Sequence, residues 1–311
     1  MDIDNIWFYV SSPDAKQDLS EHGNLIDKLV PYWYGVKADG TLDDQAEKDV
    51  KETEAQKNIQ VYPIIHNYSS PQMRDRIHNL LSNPQLRSTL VTNIVNMAVG
   101  EKYPGVNIDF EFVPPEDRQN LTTFMQMLYT ELSGKGIKTT ISVPAELKDN
   151  PDHPFSGAFN YSAIQRFCDE MYILAYDEHF ATPGPIASIG FVRNVLNYAV
   201  TVIPPNKIRL GMAVYGYDWT ENVTIPRTLS YNQAIELARN LGANITYDET
   251  AQESTFTYTM NTTSHTVWFE DVRSFTAKLE LLMEYNIPGI AVWRLGQEDQ
   301  RIWNILAIRN F

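Results

Sequence analysis

The chain has 311 residues, 43% of them hydrophobic and 21% charged, and its 39 acidic against 25 basic side chains leave a formal net charge of −14. That balance suits an ordered globular protein with a sizeable core, and sets aside nucleic acid or an anionic membrane surface as a partner. The one cysteine, Cys168, allows no intrachain disulfide, no apolar run is long enough for a membrane-spanning helix, and Met1-Asp2-Ile3-Asp4-Asn5 has no signal-peptide pattern.

Apolar runs recur in chain order with helical patterns between them. The first three strands are expected at 6–10, 29–36 and 59–65. Ser70 is placed to cap, and Pro71 to open, a helix over 71–98. The fourth strand, 105–112, alternates Asn107, Asp109 and Glu111 with Val106, Ile108, Phe110 and Phe112. Residues two apart on a strand share a face at about 6–7 Å, so one face carries an amide and two carboxylates and the other is apolar. Neighbouring carboxylates resist ionising together, and one then keeps a proton near neutrality, as acid-catalysed glycosidic cleavage requires. An exposed edge strand with a solvated acidic face is the plainer alternative.

Pro115-Glu116-Asp117 opens the next helix, with Leu121, Phe124, Met125, Leu128 and Leu132 at helical spacing and Gly134 and Gly136 beyond its end. Strands at 137–143, 170–176, 208–215 and 289–295 follow, with helices at 191–202 and 272–285. Strand–helix alternation implies a parallel sheet, and eight strands imply an α/β (β/α)8 TIM barrel. The rival is an open doubly wound sheet, but no glycine-rich phosphate loop follows the first strand. Between the seventh strand and the last helix, 230–241 looks helical and 243–247, 255–260 and 265–269 look like short strands. Residues 1–219 with 272–311 are therefore expected to form a catalytic barrel, and 220–271 a small α+β insertion on its C-terminal face.

The histidines His66, His153, His179 and His265 are scattered without metal-ligand spacing, so neither metal nor cofactor is expected. Cys168 reads as an apolar core residue. The 17 Tyr, 13 Phe and 6 Trp serve a large core, or offer flat faces to sugar rings.

These segments together resemble glycoside hydrolase family 18, the chitinase-like barrels. The family's fourth-strand pattern Asp-Gly-x-Asp-x-Asp-x-Glu falls on Pro104, Gly105, Asn107, Asp109 and Glu111. Leu174-Ala175-Tyr176-Asp177 resembles its Met-x-Tyr-Asp, and Trp293 matches the tryptophan under the sugar site. Residues 107–111, 175–179, 184–188, 215–219 and 290–296 are closer still to the bacterial spore-cortex peptidoglycan N-acetylglucosaminidases, a branch in which Asn commonly stands at position 107.

The resemblance implies substrate-assisted catalysis, an exception to the two-carboxylate scheme. Glu111 is then the general acid and base. Asp109 accepts the acetamido N–H of the reacting sugar, and Tyr176 orients the acetamido oxygen. Asp177 supports the sugar and Trp293 packs beneath it. Asn107 is expected to donate its amide to Asp109, keeping Asp109 ionised and raising Glu111. Tyr215, Tyr217, Asp218 and Trp219 are expected to line the cleft, with Tyr34, Asn67 and Ser142 as weaker strand-end candidates for the substrate site.

The expected partner is a peptidoglycan or chitin-like glycan, met by a monomer in the spore or cell envelope or outside the cell. A chitinase or chito-oligosaccharide hydrolase is the alternative. A non-catalytic sugar-binding lectin is the third, disfavoured because Glu111, Asp109 and Tyr176 are all present.

Overall fold

The computed structural model describes residues 3–68 and 72–308. Asp4–Tyr9, Lys28–Pro31, Gly105–Asp109, Lys138–Pro144, Glu170–Leu174, Ile208–Ala213 and Gly289–Trp293 are barrel strands, and the third position is shared by Gln60–Val61 and Ile64–His66. All these neighbours pair in parallel, and the first strand pairs with the last, which closes the ring. The fold is the (β/α)8 barrel expected from the alternation of strands and helices.

The split third strand follows from Pro63, which has no N–H to give the ladder. The ring is held across the break by the Tyr62 N–H on Leu29 O at 2.9 Å and the Asn107 N–H on Pro63 O at 3.0 Å. The expected single strand 29–36 is also two. Lys28–Pro31 pairs with Gln60–Val61, the Trp33 N–H turns back onto Pro31 O, and Tyr34–Val36 pairs in parallel with Ile64–His66 on one side and as a hairpin with Leu42–Asp44 on the other.

The expected helix 71–98 is likewise two helices, Met73–Ser82 and Pro84–Gly100. A residue before proline is driven out of helical backbone. Asn83 accordingly ends the first helix and caps the second, accepting from the Gln85 and Leu86 N–H groups. Ser70 and Pro71 lie outside the described residues. The expected helix at Pro115 begins as a 3-10 turn, Pro115–Asp117, and continues as Arg118–Ser133. Helix Pro13–His22, capped by Ser12, and helix Lys48–Lys57 fill further crossovers.

A second, antiparallel sheet has the order Arg227–Ser230, Tyr215–Thr220, Thr263–Phe269, Glu253–Met260, Thr246–Asp248. Helix Tyr231–Leu241 covers one face, with Ala234 and Ala238 against Leu229, Phe256, Val267 and Phe269. We propose that this unit is a subdomain set into the barrel.

Two apolar layers flank the barrel strands. Inside the ring Ile6, Phe8, Val30, Tyr62, Ile64 and Tyr172 pack together, with Trp293 against them. Outside it Trp7, Leu29, Ile108, Ile141, Ile173 and Leu210 face the helices. No helix among the described residues is long and apolar enough to cross a membrane.

Candidate active site

The fourth strand ends at Asp109, two residues before the acid that the alternation placed on it. Asn107 and Asp109 point into the ring and are buried, while Val106, Ile108 and Phe110 pack outside. Phe112 departs from the expected apolar face. It adopts left-handed backbone at φ 54°, is 38% exposed, and meets Phe155 edge-on at 5.4 Å.

Glu111 therefore needs another anchor, and Asn67 supplies it. The Asn67 amide, fully buried just past the third strand, accepts the Glu111 N–H at 2.8 Å and donates to the Glu111 carbonyl at 2.7 Å. The clamp fixes the main chain of Glu111 where the strand ladder has stopped. Asn67 thus holds the acid from behind, a different task from the substrate contact expected of it.

Burial, and then the charge of Glu111, push the Asp109 carboxyl up to about 7. Burial, and then the charge of Asp177, push Glu111 up as well. No cation neutralises either group among the described residues, and the Asp109 carboxyl receives no hydrogen bond from them. At neutral pH this pair holds a proton that ordinary carboxylates would have lost.

Tyr176 and Asp177 follow the sixth strand. The Tyr176 hydroxyl has no hydrogen-bond partner among the described residues. Burial, and then Asp109, Asp177 and Glu111, push its pKa well up, so the hydroxyl keeps its proton and remains a donor. Asp177, at φ 56°, accepts the hydroxyls of Tyr215 and, at 2.8 Å, Tyr217. Burial still holds its carboxyl above the ordinary value. Trp293, at the end of the eighth strand, lies half-buried against Phe8 at 5.4 Å. Trp293, Asp177, Tyr215 and Tyr217 open together onto a cavity of about 480 Å³.

The loop carrying Asp177 is tied to the second sheet. Buried Glu253 accepts the N–H groups of Ile186 at 2.7 Å and Ala187 at 3.0 Å, and the Trp219 indole donates to Phe180 O at 2.7 Å. Trp219 is thus a buried strut under the loop and does not line the cavity. Asp218 is also turned away, held within the second sheet by the Tyr258 hydroxyl at 2.8 Å and by His265 at 3.1 Å.

Two further expectations need correction. The Asn107 amide donates to Ser142 Oγ at 2.9 Å, not to Asp109, while Asn107 Oδ1 accepts from Thr140 Oγ1. Burial and Glu111 therefore raise Asp109 with no Asn107 donor to oppose them. Tyr34 faces outward, its hydroxyl 3.2 Å from that of Tyr103.

The tyrosine at the acids is Tyr32, stacked on His66 at 3.8 Å and close enough to feel the charges of Asp109 and Glu111. Burial pushes His66 down to about 4, so the ring is neutral at physiological pH. The Trp33–Pro31 turn resets the facing of this segment, which a simple count of residues misses. Among the described residues the one group with metal-ligand spacing is Asp18, Glu21 and His22. It belongs to helix Pro13–His22 and includes none of the residues above.

A barrel with paired inward acids at the C-terminal ends of its strands, a phenol and an indole beside them, and a cleft leading away is the architecture of a glycoside-cleaving enzyme. Residues 5–298 match the model of glycosyl hydrolases family 18, and the chain belongs to that family. It is 33% identical over 295 residues to the cortical fragment-lytic enzyme of Bacillus anthracis, covering 91% of this chain and 67% of that one.

Among solved structures it resembles the spore cortex-lytic enzyme SleL of Bacillus cereus, with a TM-score of 0.91, 28% identity, and 99% and 74% of the two chains covered. It also resembles a chitinase from Chromobacterium violaceum, with a TM-score of 0.90, 28% identity, and 98% of each chain covered. The protein is a glycoside hydrolase acting on a carbohydrate, and the lectin alternative falls away.

Proposed function

We propose that the protein is a retaining β-N-acetylglucosaminidase that cleaves β-1,4 bonds after N-acetylglucosamine in spore-cortex-type peptidoglycan. The observation that carries this reading is a complementary pair of unmet groups. Buried Asp109 lacks a donor and the Tyr176 hydroxyl lacks an acceptor among the described residues, Tyr176 is close enough to feel the Asp109 charge, and Tyr176 and Trp293 pack against the same buried cluster. An acetamido group has one N–H and one carbonyl oxygen, which would satisfy both.

In the proposed reaction the acetamido oxygen attacks C1 of its own sugar while Glu111 gives its proton to the departing glycosidic oxygen. Asp109 holds the acetamido N–H and offsets the positive charge of the oxazolinium intermediate. The Glu111 carboxylate then takes a proton from water, which attacks C1 from the face the leaving group vacated, so configuration is retained. The raised carboxyl of Glu111 suits the first step, since a general acid must still carry its proton at the working pH. Asp177 and Tyr215 support the reacting sugar from the cleft side, and Trp293 packs against its apolar face.

The cortical and spore names of the relatives support peptidoglycan as substrate, and with it a site of action in the spore envelope. The likeness to the Chromobacterium chitinase supports a second reading, hydrolysis of chitin oligomers by the same chemistry. Mass analysis of products from spore cortex and vegetative peptidoglycan tests the choice. Fragments ending in reducing N-acetylglucosamine are expected. Turnover of chitin oligomers with no peptidoglycan product would leave the second reading standing and remove the first.

A further inference from the structure

The cavity that opens at Trp293 and Asp177 runs on past the reacting sugar to Ser12, Thr228, Gln233, Gln297 and Arg294. Most of this far wall is neutral and hydrogen-bonding; Arg294 and Asp14 are its charged members. The guanidinium is half-buried, yet its one hydrogen bond among the described residues is a long one of 3.5 Å from Nη1 to Val10 O. Arg209, Arg118, Arg273 and Arg301 each have a carboxylate within 3 Å. Arg294 has none among the described residues. Two carboxylates share its cavity, but Asp177 is taken up by two phenols, and Asp14 stands in the first turn of helix Pro13–His22.

A guanidinium has five N–H donors in a planar fork that matches the two oxygens of a carboxylate. One taken partly out of water and left unpaired in a ligand cleft is therefore a receptor short of its anion. Burial accordingly holds the pKa of Arg294 below the usual arginine value.

The proposed function, on which this inference rests, says what brings the anion. Peptidoglycan alternates N-acetylglucosamine with muramoyl units, so each neighbour of the reacting sugar is muramoyl, whichever way the chain lies in the cleft. A muramoyl unit carries a 3-O-lactyl group, whose carboxylate is free or extended by an amino acid with its own carboxylate. We infer that Arg294 and the wall around it form a subsite for the acidic substituent of the sugar next to the scissile bond. The subsite would favour acidic muramoyl units over neutral ones, namely the muramic lactam and the plain N-acetylglucosamine of chitin.

The test compares a muramoyl-containing tetrasaccharide bearing free lactyl carboxylates with its methyl ester, in the native enzyme, Arg294→Gln and Arg294→Lys. A charge-assisted bidentate contact corresponds to about a tenfold preference for the acid in kcat/KM, carried in KM. That preference should collapse toward one in Arg294→Gln and persist in part in Arg294→Lys. An acid-to-ester ratio near one in the native enzyme, or a ratio unmoved in Arg294→Gln, would overturn the inference.

Binding of both oligosaccharides to Glu111→Gln, measured by calorimetry, separates this outcome from failure of the proposed function. If neither is cleaved by the native enzyme, the peptidoglycan reading fails. The acid-to-ester ratio of dissociation constants still decides whether Arg294 selects a carboxylate.

Discussion

The two ends of the barrel treat buried charge in opposite ways. At the N-terminal end Lys28 reaches Asp4 at 2.7 Å and Glu170 at 2.6 Å, and Arg209 reaches the same two carboxylates at 2.8 Å each. Burial alone would raise Asp4, but Lys28 and Arg209 outweigh it and hold the carboxyl below its ordinary value. At the C-terminal end Asp109, Glu111 and Asp177 lie near one another with no ion pair to a basic side chain among the described residues, and all three are raised. The same ring of strands thus carries a neutralised plug at one mouth and a proton reservoir at the other. Burial is common to both, and the placement of two basic side chains decides which results.

The sharpest break of that contrast is at the reservoir. Glu111→Gln keeps the shape and the Asn67 clamp but removes the transferable proton. Turnover should fall by about 10³-fold or more, with oligosaccharide binding retained. A variant that kept the native rate would end the assignment of Glu111 as the acid.

The matching break at the plug is Lys28→Met. Asp4 and Glu170 would then share Arg209 alone, and loss of one partner from a buried ion network costs about 3–5 kcal/mol. The unfolding midpoint in urea should drop accordingly, while the rate per folded molecule stays near native because the plug is at the far mouth. An unchanged midpoint would mean that water already screens these charges.

The sequence showed the reservoir better than the plug. Alternation at 105–109 survives in the structure because a strand forces it, and Asp109, Tyr176 and Trp293 stand at one mouth because each lies at or just past the C-terminal end of a barrel strand. The plug has no local signature, since Asp4, Lys28, Glu170 and Arg209 come from four separate strands. The Asn107 amide was equally hidden, because its partner Ser142 is set by register with the next strand. Tyr32 was passed over for Tyr34, since the turn at Trp33 changes the facing of the segment. Asn83-Pro84, a cap followed by a first-turn proline, did announce the break in the expected helix 71–98. The Asn67 clamp on Glu111 joins two loops, and no single-chain pattern points to it.

The subtlest separation of the two mouths is in the pH dependence of stability. Asp109 has an unfolded value near that of an ordinary aspartate, about 3.9, and a folded value of about 7. The folded state therefore binds more protons than the unfolded state between those values. Stability must fall as pH rises through that window, and level off above it. Linkage sets a ceiling of about 4 kcal/mol, and proton sharing with Glu111 reduces the part that belongs to Asp109 alone. Asp109→Asn should abolish most of this fall and be more stable than the native protein by about 2 kcal/mol at pH 8, although its catalysis is impaired. At pH 4 the two should be nearly equal. Asp4 has the opposite sign: its lowered carboxyl adds stability above the unfolded value, and that stability is lost as pH falls through the folded one. Urea midpoints at pH 4, 6 and 8 for both proteins measure the difference. Parallel curves would show that the carboxyl of Asp109 is solvated in the folded protein, and the proton reservoir would then reduce to Glu111 and Asp177.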